Sequence, residues 1–271
     1  MHNLPIYQVD AFTDALFGGN PAAVVPLPDF LPEELMQRIA AENNLSETAF
    51  VTIRGRGKFS IRWFTPTQEV RLCGHATLAA AHVLYRSGGE KLRRMRFRTQ
   101  RAGTVTVDVT EEGRYEMTFA ADPPQQARSS KKIRAALGGP KPREVYRGTD
   151  DVLVVLKNQH QVETLQPNLH VVAELKHRGL LVTAPADEAG LDFVSRGFYP
   201  AFGIDEDPVT GSAHTLLTPY WTERLGKKHL VARQGGARRG TLHCRMRGKK
   251  KVVVAGHGVT YLTGQLLLDK L

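Results

Sequence analysis

Three short segments carry residues that could do chemistry. The first is Asn44-Leu45-Ser46-Glu47-Thr48-Ala49-Phe50, where one carboxylate stands between the end of a helix and an apolar strand. Acids in such places usually cap or face solvent. The run Ala49-Phe50-Val51 implies a buried strand, however, and a partly desolvated carboxylate at its mouth is equipped to take a proton from carbon and give it back. The second and third are loop-to-helix junctions, Cys73-Gly74-His75-Ala76 and Thr210-Gly211-Ser212-Ala213. Each puts glycine and small residues where an apolar helix begins, so free N–H groups and the helix dipole can meet an anion there. Ordinary capping by Thr210 or Ser212 is the competing explanation. A matched pair of such junctions favours a site that brackets a small carboxylate.

Within these segments His75 is expected to be a neutral imidazole, because a helix N-terminus disfavours the imidazolium. Cys73 precedes the same helix, which is expected to lower its thiol pKa. A two-thiol racemase would need a second cysteine at the other junction. That junction offers Asp207, Thr210 and Ser212, and Cys244 lies far along the chain, so Cys73 is expected to pack or position. Asp207 shares a loop with Asp205 and Glu206 but stands nearest Gly211. No His-x-x-x-His or paired-cysteine spacing supports a metal, and none is expected.

The elements that must hold these residues are legible as strands and a few helices. Pro5–Val9 and Ala22–Pro26 read as strands, Pro32–Asn43 as an amphipathic helix, and Thr48–Ile53 with Lys58–Phe64 as a hairpin. Ala76–Tyr85 is apolar all round, the mark of a buried helix. Further strands are expected at 95–98, 103–109, 115–119, 152–156, 179–182, 194–199, 241–246, 251–255 and 258–264, with a helix from Ser212 to about Arg224. A polar stretch from Ala120 to Ser130 looks like a linker. A weak echo joins the halves: Trp63-Phe64-Thr65-Pro66 leads through Glu69 to Gly74, and Gly197-Phe198-Tyr199-Pro200 leads through Asp205 and Asp207 to Gly211. Two copies so far apart imply a duplicated lobe. The expected division is 1–120 and 121–257, with the last strand, about 258–271, a candidate to join the first lobe.

Composition narrows the class. The chain has 271 residues, 41% hydrophobic and 24% charged, which suits a packed core and excludes disorder. No apolar run reaches the roughly 20 residues of a spanning helix, so no membrane partner is expected. The first residues show no basic patch before an apolar stretch, and two cysteines make no disulfide framework, so a reducing, cytoplasmic setting is expected. The net charge of +10 comes from scattered basic residues without interleaved aromatics. That pattern speaks against nucleic acid and reads first as solvated strand and loop faces, while the charge could also favour approach of a small anionic substrate.

Gly18-Gly19-Asn20-Pro21-Ala22-Ala23-Val24, Asn44–Phe50, Phe64-Thr65-Pro66, Glu69-Val70, Leu72–Leu78 and Glu206–His214 together resemble the phenazine biosynthesis PhzF-like isomerase family, itself similar in fold to diaminopimelate epimerase. The resemblance implies an α+β fold of two pseudo-repeated lobes, each a rolled, barrel-like sheet around a central helix. It also implies one active site in the cleft between them, a homodimer and no cofactor. It places the acid–base glutamate at Glu47 and ligand-side catalytic groups at His75, Asp207 and Ser212. Asn20, Ser46, Cys73, Gly74, Thr210 and Gly211 fall beside the substrate. The epimerase relatives use two cysteines; here the first matches Cys73 and the second is absent, which fits the isomerase branch. The phenazine enzyme shifts a proton on a dihydro-hydroxyanthranilate, but family membership does not fix a substrate.

The function expected is a cofactor-independent isomerase that moves a proton between carbons of a small carboxylate-bearing molecule. A racemase or epimerase of a small acid, and a non-catalytic binding module, are the alternatives.

Overall fold

A computed structural model describes residues 2–88 and 92–268. In chain order the elements are β1 (His2–Ala11), β2 (Asn20–Leu27), α1 (Glu33–Asn43), β3 (Glu47–Gly55), β4 (Lys58–Phe64), β5 (Glu69–Val70), α2 (Gly74–Gly88), β6 (Arg94–Arg98), β7 (Thr104–Val109) and β8 (Tyr115–Ala120). There follow β9 (Gln125–Ala127), α3 (Lys131–Leu137), β10 (Glu144–Arg147), β11 (Asp151–Val155), α4 (Gln159–Glu163), α5 (Leu169–Ala173), β12 (Gly179–Pro185), β13 (Phe193–Tyr199) and β14 (Ile204–Asp207). The chain then runs through α6 (His214–Leu225), β15 (His229–Gln234), β16 (Gly240–Arg247), β17 (Lys251–Gly256) and β18 (Gly258–Leu268). The expected end of the last strand, residues 269–271, lies outside the described residues. Among the described residues no helix is long and apolar enough to cross a membrane.

The fold class is the expected α+β one, and the chain divides into two compact units. One comprises Met1–Thr118 with Ala255–Leu271, the other Phe119–Val254. In the first, β18 runs antiparallel to β1, and β1 antiparallel to β2. β2 and β3 are parallel, β3 and β4 form a hairpin, β5 folds back on β4, and β4 lies parallel to β6. The second unit repeats this order. β10 and β11 are antiparallel, β11 and β12 parallel, β12 and β13 antiparallel, β14 folds back on β13, and β13 lies parallel to β15. Helices follow the parallel-pair rule that a crossover must return over the sheet: α1 links β2 to β3, and α4 with α5 link β11 to β12.

The predicted all-round burial of the first unit's helix is real. Every residue of α2 from Gly74 to Leu84 is buried, and the helix packs against β1, β2, β3 and β18. On the outer side, Met36, Ile39 and Ala40 of α1 close over Val25, Leu27, Phe50 and Phe64. Burying side chains of this size contributes about 1.5–3 kcal/mol each, so this packing fixes where α2 begins. In the second unit Val152, Val154, Leu180, Val182 and Phe198 pack with Ile133, Leu137 and Val162 of the covering helices.

One expectation needs correction. The stretch read as a linker contains β9, which pairs with β10 at Val145↔Ala127 and Arg147↔Gln125. Pro123 and Pro124 mark only its approach, and Ser130 is the N-cap of α3, accepting from the Ile133 N–H at 3.1 Å. A short edge strand with polar side chains has no hydrophobic alternation to announce it.

Candidate active site

Glu47 opens β3 and is 9% exposed. His75 is the second residue of α2 and is 3% exposed. Their side chains meet with Nε2 3.1 Å from Oε2. The approach is off the line of a strong hydrogen bond: neither atom has an aligned partner. On the opposite side of the ring, Nδ1 lies 3.2 Å from Nδ2 of buried Asn20 and 3.5 Å from the Cys73 sulfur. An amide can turn its nitrogen or its oxygen to the ring, so Asn20 suits the neutral and the protonated imidazole alike. The chain brings these residues together because β2 and β3 are parallel neighbours whose starts, Asn20 and Glu47, lie at the same end as the first turn of α2. Gly74 starts that turn, and Ser46 is half-buried just before β3.

Two electrostatic expectations are overturned here. Burial opposes a charged His75, but its pKa is raised above the usual histidine range, and the charge that favours the imidazolium is that of the Glu47 carboxylate 3.1 Å away. The Cys73 thiol is pushed up to about 11, by burial first and by the Glu47 charge second. At neutral pH Cys73 is therefore a thiol. The helix dipole, worth about 0.3–1 kcal/mol at a surface terminus, loses to a carboxylate at contact distance and to full desolvation of the thiol.

Glu47, Cys73 and His75 also offer three donor atoms within 4.8 Å of one another, a set of the kind zinc accepts. His75 faces Cys73 with one nitrogen and Glu47 with the other, and a single ion could take only one of them. Spacing did not reveal this set because Glu47 comes from a separate strand.

The second junction is built differently. Asp207 ends β14 and is 8% exposed, which separates it from exposed Asp205 and from Glu206, the partner of Arg196. The Thr210 hydroxyl donates to Asp207 Oδ2 at 2.6 Å. Buried Gln234 clamps the turn, accepting from the Thr210 N–H at 2.9 Å and placing its amide nitrogen 2.9 Å from Thr210 Oγ1. Gly211–Ala213 forms a single 3-10 turn before α6, so the helix starts later than expected. Neither Thr210 nor Ser212 caps it; Ser212 Oγ instead accepts from Arg178 at 3.2 Å. His214 donates from Nδ1 to the Thr210 carbonyl at 3.0 Å, and burial lowers its pKa to about 4. Cys244 is buried, with its thiol raised to about 12 by burial.

Thus Asn20, Glu47, Cys73, Gly74 and His75 gather in the first unit, and Asp207, Thr210, Gly211 and Ser212 in the second. Arg178 and Gln234 were missed, since an arginine before a glycine and a glutamine at a strand end carry no signal of their own.

An α+β chain of two topologically repeated units with a buried carboxylate–imidazole pair defines a class, and comparison with known proteins agrees with it. The model of the phenazine biosynthesis-like proteins matches residues 9–264, and the chain belongs to that family. An uncharacterized isomerase of Pseudomonas aeruginosa is 48% identical over 98% of this chain and 99% of that protein. The crystal structure of a PhzF-family phenazine biosynthesis protein from Enterococcus faecalis superposes with a TM-score of 0.93, at 41% identity over 98% of this chain and 100% of that one. A hydroxyproline epimerase from Agrobacterium vitis, at 12% identity and a TM-score of 0.64 over 99% of this chain and 93% of that one, shares the fold alone.

Proposed function

We propose that the protein is a cofactor-independent isomerase in which Glu47 moves a proton between two carbons of a small unsaturated carboxylate. The carboxylate of Glu47 takes the proton: a C–H bond breaks, an O–H bond forms, and the electron pair spreads into the conjugated acid. The neutral carboxylic acid then returns the same proton to a second carbon, so nothing is oxidised or reduced. His75, held as imidazolium beside Glu47, offsets the negative charge that develops in between. Substrate contacts beside Glu47 are assigned to Asn20, Ser46 and Gly74. Relatives named isomerases support this reading. The observation that carries it is the buried Glu47–His75 approach of 3.1 Å.

Glu47→Gln keeps the shape of the side chain and removes the proton acceptor. It is expected to lower kcat by about 10²-fold or more with an unchanged melting temperature. Retained turnover in that variant refutes the role. A racemase that uses Cys73 as a base is the second reading, because the sulfur lies in the same cluster. A buried thiol raised to about 11 is poorly suited to that task. Cys73→Ala is expected to stay within about tenfold of the parent kcat; a loss equal to that of Glu47→Gln would favour the racemase.

A further inference from the structure

The repeated topology allows the two units to be aligned residue by residue. Arg62 and Arg196 each sit two positions before a phenylalanine, lie over that ring at 5.1 and 4.9 Å, and pair with a glutamate on the returning strand, Glu69 of β5 or Glu206 of β14. With Phe64 matched to Phe198, the pairings Thr48↔Phe64 and Leu180↔Phe198 match Glu47 to Gly179 and Ser46 to Arg178. The junctions match Gly74 to Gly211 and His75 to Ser212. Glu47 thus has no side chain opposite it in the second unit; the residue matched to His75, Ser212, instead meets Arg178, one position before the glycine matched to Glu47, at 3.2 Å.

We propose that Arg178 and Ser212 form the donor site for the carboxylate of an unsaturated acid, at the junction of the second unit. A guanidinium only donates, so Ser212 Oγ must accept from it, and the Ser212 proton is left pointing elsewhere. Ser212 has no other side-chain hydrogen bond among the described residues, and the residue is half-buried. Arg178 is held rigidly: Nε donates to Asp151 Oδ1 at 3.0 Å, Nη2 donates to Oδ2, and Tyr199 lies 5.3 Å beneath the guanidinium. Asp151 is 5% exposed at the side chain and Arg178 31%, so the buried acid anchors a cation whose outer edge remains accessible. Two N–H groups of Arg178, one on each Nη, are not used by these contacts. They and the Ser212 hydroxyl supply donors to one anionic oxygen pair. A structural ion pair alone would explain Arg178–Asp151 but not the third bond to Ser212.

The proposal takes its ligand class from the isomerase reading, and the test separates the two. The probe is 2-aminobenzoate, a fluorescent unsaturated acid, titrated against its neutral amide. The parent protein is expected to bind the acid at least tenfold more tightly than the amide. Because Arg178→Met alone strands a buried Asp151, the informative variant is Arg178→Met with Asp151→Asn, checked for a parent-like circular dichroism spectrum. It is expected to lose acid binding by about tenfold or more and leave amide binding unchanged, and Arg178→Lys to recover part of the loss. Ser212→Ala is expected to weaken the acid, with little further loss when added to the double variant. Equal affinity of the parent for acid and amide, or a folded double variant that binds the acid within twofold of the parent, would overturn the proposal. Glu47→Gln is expected to keep acid binding. Turnover by that variant would remove the isomerase reading and leave the anion site standing.

Discussion

The two units share a chain path and differ in the charge they gather at the same place. At the mouth of the parallel strand pair the first unit puts Glu47, and the second puts Gly179 preceded by Arg178. At the helix junction the first puts His75 and the second Ser212. Two residues further in, the i+4 side chain reaches back to the matching carbonyl in both: Thr77 Oγ1 donates to the Cys73 carbonyl, and His214 Nδ1 to the Thr210 carbonyl. The two units thus share these scaffold bonds and differ in the charged and polar groups beside them. An anion next to an imidazole is a proton-handling pair, whereas a cation next to a hydroxyl is a donor pair.

The Arg–Glu–Phe device tests how deep the likeness goes, and has the largest expected effect on stability. Arg196 donates to Glu206 and also to the carbonyls of Val162 and Leu165, at 3.1 and 2.7 Å. Arg62 instead reaches two carboxylates, Glu69 and Glu33, the latter largely exposed. Breaking a buried ion pair costs about 3–5 kcal/mol, and each stranded carbonyl adds about 1–3 kcal/mol. Urea denaturation should show Arg196→Met more destabilising than Arg62→Met. Equal losses would mean that the carbonyl contacts contribute little.

The junction histidines sharpen the contrast next. His75 is raised above its unfolded value near 6.5, so its contribution to stability is full below that pH and fades as pH climbs through the folded value. His214 is lowered to about 4, so its contribution is full above 6.5 and is lost as pH falls toward 4. The second effect amounts to roughly 3 kcal/mol at most. Ring-labelled NMR should find His75 protonated above pH 6.5 and His214 neutral at pH 5. Glu47→Gln should move the His75 titration down and leave His214 alone.

The smallest effect concerns the position matched to Glu47. A Cβ at Gly179 would stand 2.3 Å from the Tyr199 ring and 2.8 Å from the Phe198 carbonyl oxygen. Gly179→Ala should therefore cost about 1–3 kcal/mol in overpacking, read as a lowered melting temperature. A neutral result would show that Tyr199 can swing aside and that the second unit has room for a side chain there.

Much of the fold was legible from local pattern. Alternation announced β3 and β4, and an unbroken apolar run announced α2. Glu47, His75 and the Gly74 and Gly211 turns were found from residue type and neighbouring apolar runs. Local pattern missed β10, β14, β15 and the short helices α4 and α5, and also β9, whose side chains are polar, and Arg178, whose partner Asp151 lies on another strand.

The sequence by itself determined many of the strands and the buried helix α2, and suggested two copies of one plan, because periodicity and turn residues act between near neighbours. Only the tertiary structure decided the protonation of the groups. Whether His75 is charged, whether Cys73 is a thiol and what Ser212 faces depend on burial and on charges a few ångströms away in space, contributed by strands distant along the chain. Coulomb energies and desolvation are functions of distance and surroundings, and residue order alone specifies neither.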